Sequence, residues 1–231
     1  MSIAERLYEI EKAIASHAKG RSVKLVAVSK YAKLPQMQEA YQAGVRNFGE
    51  NRVQDALVKM GSFPPEQYPD LRWHLIGSLQ GNKVKKTVGK FALIHSVDSL
   101  RLAEAISHAN VAAQTCQDIL LQINLSPDPT RNGLLPEELA AIVPSIVNLP
   151  GVRLRGLMGL APPEVSLEND EPALHRIFSG LRDLNVQLAR QFELERPDFP
   201  LLLSMGMSHD FVPALDCGAT IIRLGNYLFK N

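Results

Sequence analysis

Cysteine is scarce in this chain. Cys116 and Cys217 are the only two among 231 residues, too few for a disulfide framework, so both are expected to be reduced. Charge of one sign is lacking as well. Twenty-five Lys and Arg against twenty-four Asp and Glu leave a formal net charge of +1. That balance argues against a global basic field for nucleic acid or a membrane surface. No apolar run reaches the length of a membrane span, and the N-terminal Met-Ser-Ile-Ala-Glu-Arg has none of the apolar core of a signal peptide. A soluble, cytoplasmic protein is therefore expected. No G-x-G-x-x-G follows a strand and no G-x-x-x-x-G-K-[ST] occurs, so dinucleotide and P-loop readings lose their main support. The six histidines show no metal-ligand spacing, and no metal site is expected.

What the chain does have is a repeating alternation of short apolar runs and amphipathic stretches. Ile3, Leu7, Ile10 and Ile14 fall at helical spacing and predict a first helix over 2–19, closed near Gly20. Strands are predicted at 23–29, 45–49, 71–76, 91–95, 118–124, 152–158, 200–203 and 218–224. Helices are predicted at 35–43, 50–60, around Lys83 to Lys90, 98–107 (capped by Asp98 or Ser96), 136–147, 172–192 and 208–216, with a short one at the end. The segment 161–170 reads as an acidic, solvated loop. Eight strand–helix units in succession predict one α/β domain over residues 1–231. Its fold class is a single (β/α)8 TIM-type barrel with an extra N-terminal helix.

Active sites in such barrels gather where strands end. Strand one runs Lys24-Leu25-Val26-Ala27-Val28-Ser29-Lys30, and period two puts Lys30 on the same face as Val26 and Val28, at the C-terminal end. Strand two leads to Asn51, strand three carries His74, and strand six ends at Met158-Gly159. Strand seven runs into Ser204-Met205-Gly206-Met207-Ser208, and strand eight into Arg223-Leu224-Gly225-Asn226.

The last two loops are small-residue turns before helices, the composition of a phosphate cradle whose donors are backbone N–H groups. A reactive lysine facing such a cradle predicts an aldehyde cofactor with a phosphate tail, for which pyridoxal 5′-phosphate (PLP) fits, held as an imine on Lys30. A lysine in a desolvated pocket would titrate below its ordinary value of about 10.4. Arg223, permanently protonated, would sit near the cofactor's ring nitrogen and weaken it as an electron sink.

Six stretches in order resemble a known family. They are Ala27-Val28-Ser29-Lys30, Phe48-Gly49-Glu50-Asn51-Arg52-Val53-Gln54, Trp73 to Lys83, Arg155-Gly156-Leu157-Met158, Leu203 to Ser208, and Ile222-Arg223-Leu224-Gly225. Together they are similar to the pyridoxal phosphate homeostasis protein family, from about residue 3 to 229. The resemblance implies a barrel like the N-terminal domain of alanine racemase, a monomer without established catalysis, and a role in PLP supply and in amino-acid and keto-acid balance. PLP-dependent apo-enzymes or a regulatory protein are its implied partners. Carried over by position, it implies Lys30 as the imine lysine, and Asn51, His74 and Met158 lining the ring pocket. It implies Ser204, Met205, Gly206, Gly225 and Asn226 at or beside the phosphate, and Arg223 near the ring nitrogen. This chain departs from the family pattern at Asn226 (usually Thr or Ser), at Tyr227 and Lys230, and near Arg131, where Lys-x-Gly is common.

Alternatives stay open for single residues. His74 reads equally as a satisfied core histidine. Met158, Met205 and Met207 can simply pack the barrel mouth. Lys83, Lys85, Lys86 and Lys90 read as a solvated helix face or as a docking patch for an acidic partner. Two other functions compete: a PLP-dependent racemase, for which the sequence supplies no assignable second base, and a phosphate-binding barrel with Lys30 as an aldolase-type lysine.

Overall fold

The computed structural model describes residues 1–126, 128, 130–168, 170–194 and 201–229. Helix α1 (Ile3–His17) begins at Ser2, whose hydroxyl accepts the Glu5 N–H while the Glu5 carboxylate accepts the Ser2 N–H, a reciprocal cap that fixes its start. Then come β1 (Lys24–Val28), α2 (Leu34–Gln42), β2 (Asn47–Glu50), α3 (Val53–Met60), β3 (Arg72–Leu75), β4 (Leu93–Val97), α4 (Leu100–Ala112) and β5 (Gln117–Ile123). The chain continues through α5 (Leu139–Val147), β6 (Val152–Gly159), α6 (Pro163–Glu168), α7 (Glu171–Gln191), β7 (Leu202–Ser204), α8 (Phe211–Asp216), β8 (Ile221–Leu224) and α9 (Asn226–Phe229).

The eight strands are parallel, each pairs with the next, and β8 pairs with β1, so the sheet closes into a barrel in sequence order. Alternation along the strands divides the apolar residues into two layers. Val26, Leu93, Leu120, Met158 and Ile221 form a small buried cluster that fills the barrel. Ala27, Phe48, Leu75, Ile94, Leu121, Leu157, Leu203 and Leu224 belong to the larger core between strands and helices. Helix α1 presents Ile3, Leu7 and Ile10 to that core and packs on α2, α8 and α9.

Differences from the sequence reading lie at element ends. The lysine-rich stretch forms a six-residue 3-10 turn, Gly81–Lys86, instead of a full helix. Its apolar content explains this: Val84 alone is buried, and Gly89 (φ 66°) breaks the backbone three residues on. Strand β4 sits two residues later than expected, and α4 is capped by Ser99, whose hydroxyl accepts the Leu102 N–H, not by Asp98 or Ser96. The segment expected as an acidic loop contains α6, and Asp170 caps α7 by accepting the Ala173 N–H. Pro200, expected to open strand seven, and Lys230 lie outside the described residues.

Gly156 shows why the Arg-Gly-Leu-Met stretch must hold glycine. Its φ is 131°, and a Cβ there would stand 2.0 Å from the Leu202 carbonyl oxygen of the neighbouring strand. Only glycine combines that backbone with that approach.

Candidate functional site

A cleft of about 360 Å³ opens where β1, β7 and β8 end. It is lined by Val28, Lys30 and Tyr31 from the first strand end, by Met207, Ser208 and His209 from the seventh, and by Arg223, Gly225 and Asn226 from the eighth. That volume lies within the range of small-molecule sites, roughly 300–1,000 Å³.

Lys30 stands two residues beyond the end of β1, in a turn closed by the Ala32 N–H donating to the Ser29 carbonyl at 2.9 Å. The expected desolvation of this lysine is not found. Its side chain is exposed because the strand stops at Val28, and its ammonium lies 5.0 Å from the Tyr31 ring centroid.

The opposite wall is rigid. Gly206 has φ 90°, and a Cβ on it would stand 2.7 Å from the Ala214 Cβ, so the loop lies flat against α8. Asp210 holds this loop from within: its Oδ1 accepts the Met207 N–H at 2.5 Å and its Oδ2 accepts the Ser166 hydroxyl at 2.6 Å. The Ser208 hydroxyl accepts the Tyr227 N–H at 3.2 Å, which joins the seventh loop to the start of α9. Gly225 is equally confined, since a Cβ there would lie 3.2 Å from both the Cβ and the carbonyl oxygen of Val28. Asn226 opens α9, where N–H groups lack intrahelical acceptors.

Arg223 is 3% exposed and is held from two sides. Its Nη1 donates to the Ser204 hydroxyl at 2.6 Å and its Nη2 to the Gly159 carbonyl at 2.9 Å, so the guanidinium reaches from β8 past β7 to the end of β6. Burial lowers its pKa to about 10, against a smaller raising effect from Asp210, which leaves it protonated at neutral pH.

Behind Arg223 runs a buried polar chain that crosses the barrel. Ser204 Oγ lies 2.9 Å from His95 Nδ1, His95 Nε2 lies 2.9 Å from His74 Nδ1, and His74 Nε2 lies 3.1 Å from Asn47 Oδ1. Asn47 Oδ1 can only accept and burial keeps both rings neutral, each with one N–H, so the direction of every bond follows from that end. Ser204 accepts from Arg223 and donates to His95 Nδ1, His95 Nε2–H donates to His74 Nδ1, and His74 Nε2–H donates to Asn47. Both imidazoles are neutral in that arrangement. Burial, with the positive charge of Lys24, pushes His74 down to about 3. Burial, with the neighbouring His74 and Arg223, pushes His95 well below its ordinary value.

Of the ten residues expected at the site, Lys30, Arg223, Gly225 and Asn226 line the cleft. Gly206 shapes the loop beside it, and its carbonyl accepts the Arg223 N–H at 3.0 Å. Ser204 does not present its hydroxyl to the cleft: that group is buried on Arg223 and His95. His74 reaches the cleft only through His95, Ser204 and Arg223. Met158 is an inward core residue, and Met205, on the opposite face from Ser204, packs in the outer core. Asn51 lines a neighbouring cleft with Arg52, Gln54, Gly77, Ser78 and Lys83.

Sequence reading places Asn47 and His95 on their strands but singles out neither as part of the site. A second histidine at the end of the strand predicted over 91–95 was the available signal for His95; placing that strand two residues early made it a terminal residue, whereas β4 runs on to Val97 and holds it inside. Among the described residues there is no cluster of three or more His, Cys, Asp or Glu placed to hold a metal ion, and no helix long and apolar enough to cross a membrane.

The family model described as "Alanine racemase, N-terminal domain" matches residues 5–231. A pyridoxal phosphate homeostasis protein of Aquifex aeolicus is 38% identical, across 99% of this chain and 98% of its own length. One of Pseudomonas aeruginosa is 36% identical, across 99% and 95%. Among solved structures, PipY of Synechococcus elongatus PCC7942 with PLP bound is 39% identical with a TM-score of 0.85, covering 99% of this chain and 100% of that one. An alanine racemase from Clostridium difficile 630 is 12% identical with a TM-score of 0.77, covering 98% and 57%, and shares the fold alone.

Proposed function

Because the chain belongs to the pyridoxal phosphate homeostasis protein family, we propose that it binds PLP in the cleft between Lys30 and Arg223 and holds it as an imine on Lys30. The observation that carries this reading is the pairing of an exposed, reachable lysine with a pinned small-residue wall of the right size across one cleft. The residues present fit the cofactor. Ser208, Gly225 and Asn226 would receive its phosphate, Arg223 would face its ring nitrogen, and Lys30 would take its aldehyde. When bound, the cofactor supplies an electrophilic aldehyde and a ring able to withdraw electrons. Arg223, held by Ser204 and the Gly159 carbonyl, would act on that ring as a fixed donor. Still protonated at neutral pH, it would offer the ring nitrogen a hydrogen bond and no proton, so electron withdrawal would stay weak.

The role that follows is a non-catalytic one. Residues 1–231 act as one binding domain in the cytoplasm, keeping PLP available for apo-enzymes or for a regulatory partner, as a monomer. The test is the visible absorbance of the purified protein with added PLP, compared with Lys30→Ala. A Lys30-dependent imine band is expected, and an unchanged band in the variant removes Lys30 from the role. Chiral analysis after incubation with L- or D-alanine decides between holder and racemase, since sustained turnover would overturn the non-catalytic reading.

A further inference from the structure

The cleft accounts for the amine of Lys30 but not for a buried ion pair directly behind it. Glu50, at the end of β2, is 0% exposed. Its Oε1 lies 2.7 Å from the ammonium of Lys59 on α3, whose side chain is 16% exposed. Burying such a pair costs desolvation that its attraction often only matches, so the pair is weak evidence of stabilisation and invites a positional explanation. Glu50 Oε2 has no hydrogen-bond partner, which adds to that cost.

What the pair touches is Ser29, the residue immediately before Lys30. The Ser29 hydroxyl donates to Glu50 Oε1 at 2.7 Å, and Lys59 Nζ donates to the Ser29 carbonyl at 2.6 Å. The same carbonyl accepts the Ala32 N–H at 2.9 Å, and the Ser29 N–H donates to the Gly49 carbonyl at 3.0 Å. Every polar group of Ser29 is thus engaged, and the residue is fully buried, while the next side chain is exposed. The Ser29 carbonyl and the Lys30 N–H belong to one rigid peptide plane. Fixing the carbonyl with an ammonium on one side and the turn on the other fixes where the Lys30 side chain starts.

We infer that Glu50 and Lys59 are positioning residues for Lys30: they clamp the Ser29–Lys30 peptide so that a flexible lysine projects across the cleft toward the wall formed by Gly225 and Asn226. This rests on the reading of Lys30 as the imine lysine. Neither residue lines the cleft, so the clamp acts only through Lys30. A misplaced reacting group loses rate and affinity steeply, whereas contacts made elsewhere on the ligand do not notice.

The test compares two probes on the full chain. PLP forms an imine; pyridoxine 5′-phosphate, with an alcohol in place of the aldehyde, cannot. The variants are Glu50→Gln and the double variant Glu50→Gln/Lys59→Met, which leaves no unpaired buried charge, with Lys59→Arg as the conservative control. Expected are PLP affinity and the rate of imine appearance falling about tenfold, or about 1.4 kcal/mol, in the double variant. Affinity for pyridoxine 5′-phosphate should stay within about twofold of wild type, and Lys59→Arg should recover most of the loss. An equal fall for both probes would show a general distortion of the cleft and overturn the inference, and so would no change for either. If the wild-type chain itself shows no imine band, or Lys30→Ala keeps it, the underlying reading fails first, and the two failures are told apart by that one spectrum.

Discussion

Removing the Ser204 hydroxyl tests the buried chain behind Arg223 most directly. In Ser204→Ala, Arg223 Nη1 loses the acceptor now 2.6 Å away and His95 Nδ1 loses the donor now 2.9 Å away. Ser204 is fully buried, and Arg223 and His95 are 3% and 0% exposed, so water cannot replace either bond without rearrangement. Leaving a buried polar group unsatisfied costs about 1–3 kcal/mol, with charged groups at the upper end, so the two losses together come to roughly 2–5 kcal/mol. With a urea dependence of about 2.5 kcal/mol per M, the unfolding midpoint should fall by roughly 1–2 M with no change of slope. His95→Leu and the double variant complete a cycle. Because the bond between Ser204 and His95 can be lost only once, the double variant should be more stable than the sum of the single effects predicts, by about 1 kcal/mol or more. Additivity to within about 0.4 kcal/mol would mean that the two residues do not share a bond in solution, and the directional chain would be refuted.

The histidines make a pH prediction. His74 has a folded-state pKa of about 3 against an unfolded value near 6.5, so the native state binds fewer protons between those values. Its contribution is fully present above about pH 6.5 and is lost as pH falls toward 3, at up to about 1.4 kcal/mol per pH unit. His95 acts in the same direction. Denaturation midpoints followed from pH 7 to 5 should fall more steeply for wild type than for His74→Gln, and parallel curves would contradict the assignment of a neutral pair. Gly156→Ala should cost about 3 kcal/mol or more, because it combines a left-handed backbone with a collision against the Leu202 carbonyl. A loss under about 1 kcal/mol on thermal unfolding would show that β6 and β7 can separate there. Gly206→Ala should weaken phosphate-bearing ligands more than it destabilises the fold, measured as pyridoxine 5′-phosphate affinity against melting temperature, since its Cβ would lift the seventh loop off Phe211 and Ala214.

The barrel was legible because its signal is repetitive. Eight apolar runs, each followed by a helical period, constrain one another, and errors of two residues at β4 or of one cap at α4 leave the count unchanged. The candidate cleft was legible where position along the chain alone decides what lines it: Lys30 after the first strand, Arg223 and Gly225 at the last, with Gly206 beside it where φ is positive. It was not legible where the outcome depends on which face of a strand a residue occupies. Ser204 and Met205 are neighbours in sequence, yet one is inward on Arg223 and the other is outward in the core. A shift of one position exchanges them, and sequence places strand ends no better than that. The link from Asn47 to Arg223 draws on β2, β3, β4, β7 and β8, and no spacing announces it.

The two sides of the cleft are built on opposite terms, and that contrast bears on how a ligand would be kept and let go. Arg223, Ser204 and Asp210 are buried and hydrogen-bonded, and Asp210 and Tyr227 tie down the half-buried loop at Met207 and Ser208, so that wall is set before any ligand arrives and loses little freedom on binding. Lys30 is exposed, with its ammonium near the Tyr31 ring and its backbone fixed only at Ser29. If PLP binds as proposed, a preformed wall would give affinity for the phosphate-bearing end without help from covalent chemistry, while a bond to a solvent-exposed lysine would stay within reach of water or another amine. On the proposed reading, the wall would set how much PLP is held and the lysine would set how readily it is handed on. Lys30→Ala should then retain measurable affinity for pyridoxine 5′-phosphate while the exchange of PLP to an external amine loses its covalent step. Equal loss of both ligands in that variant would mean that Lys30 is part of the wall, and the division of labour would fall.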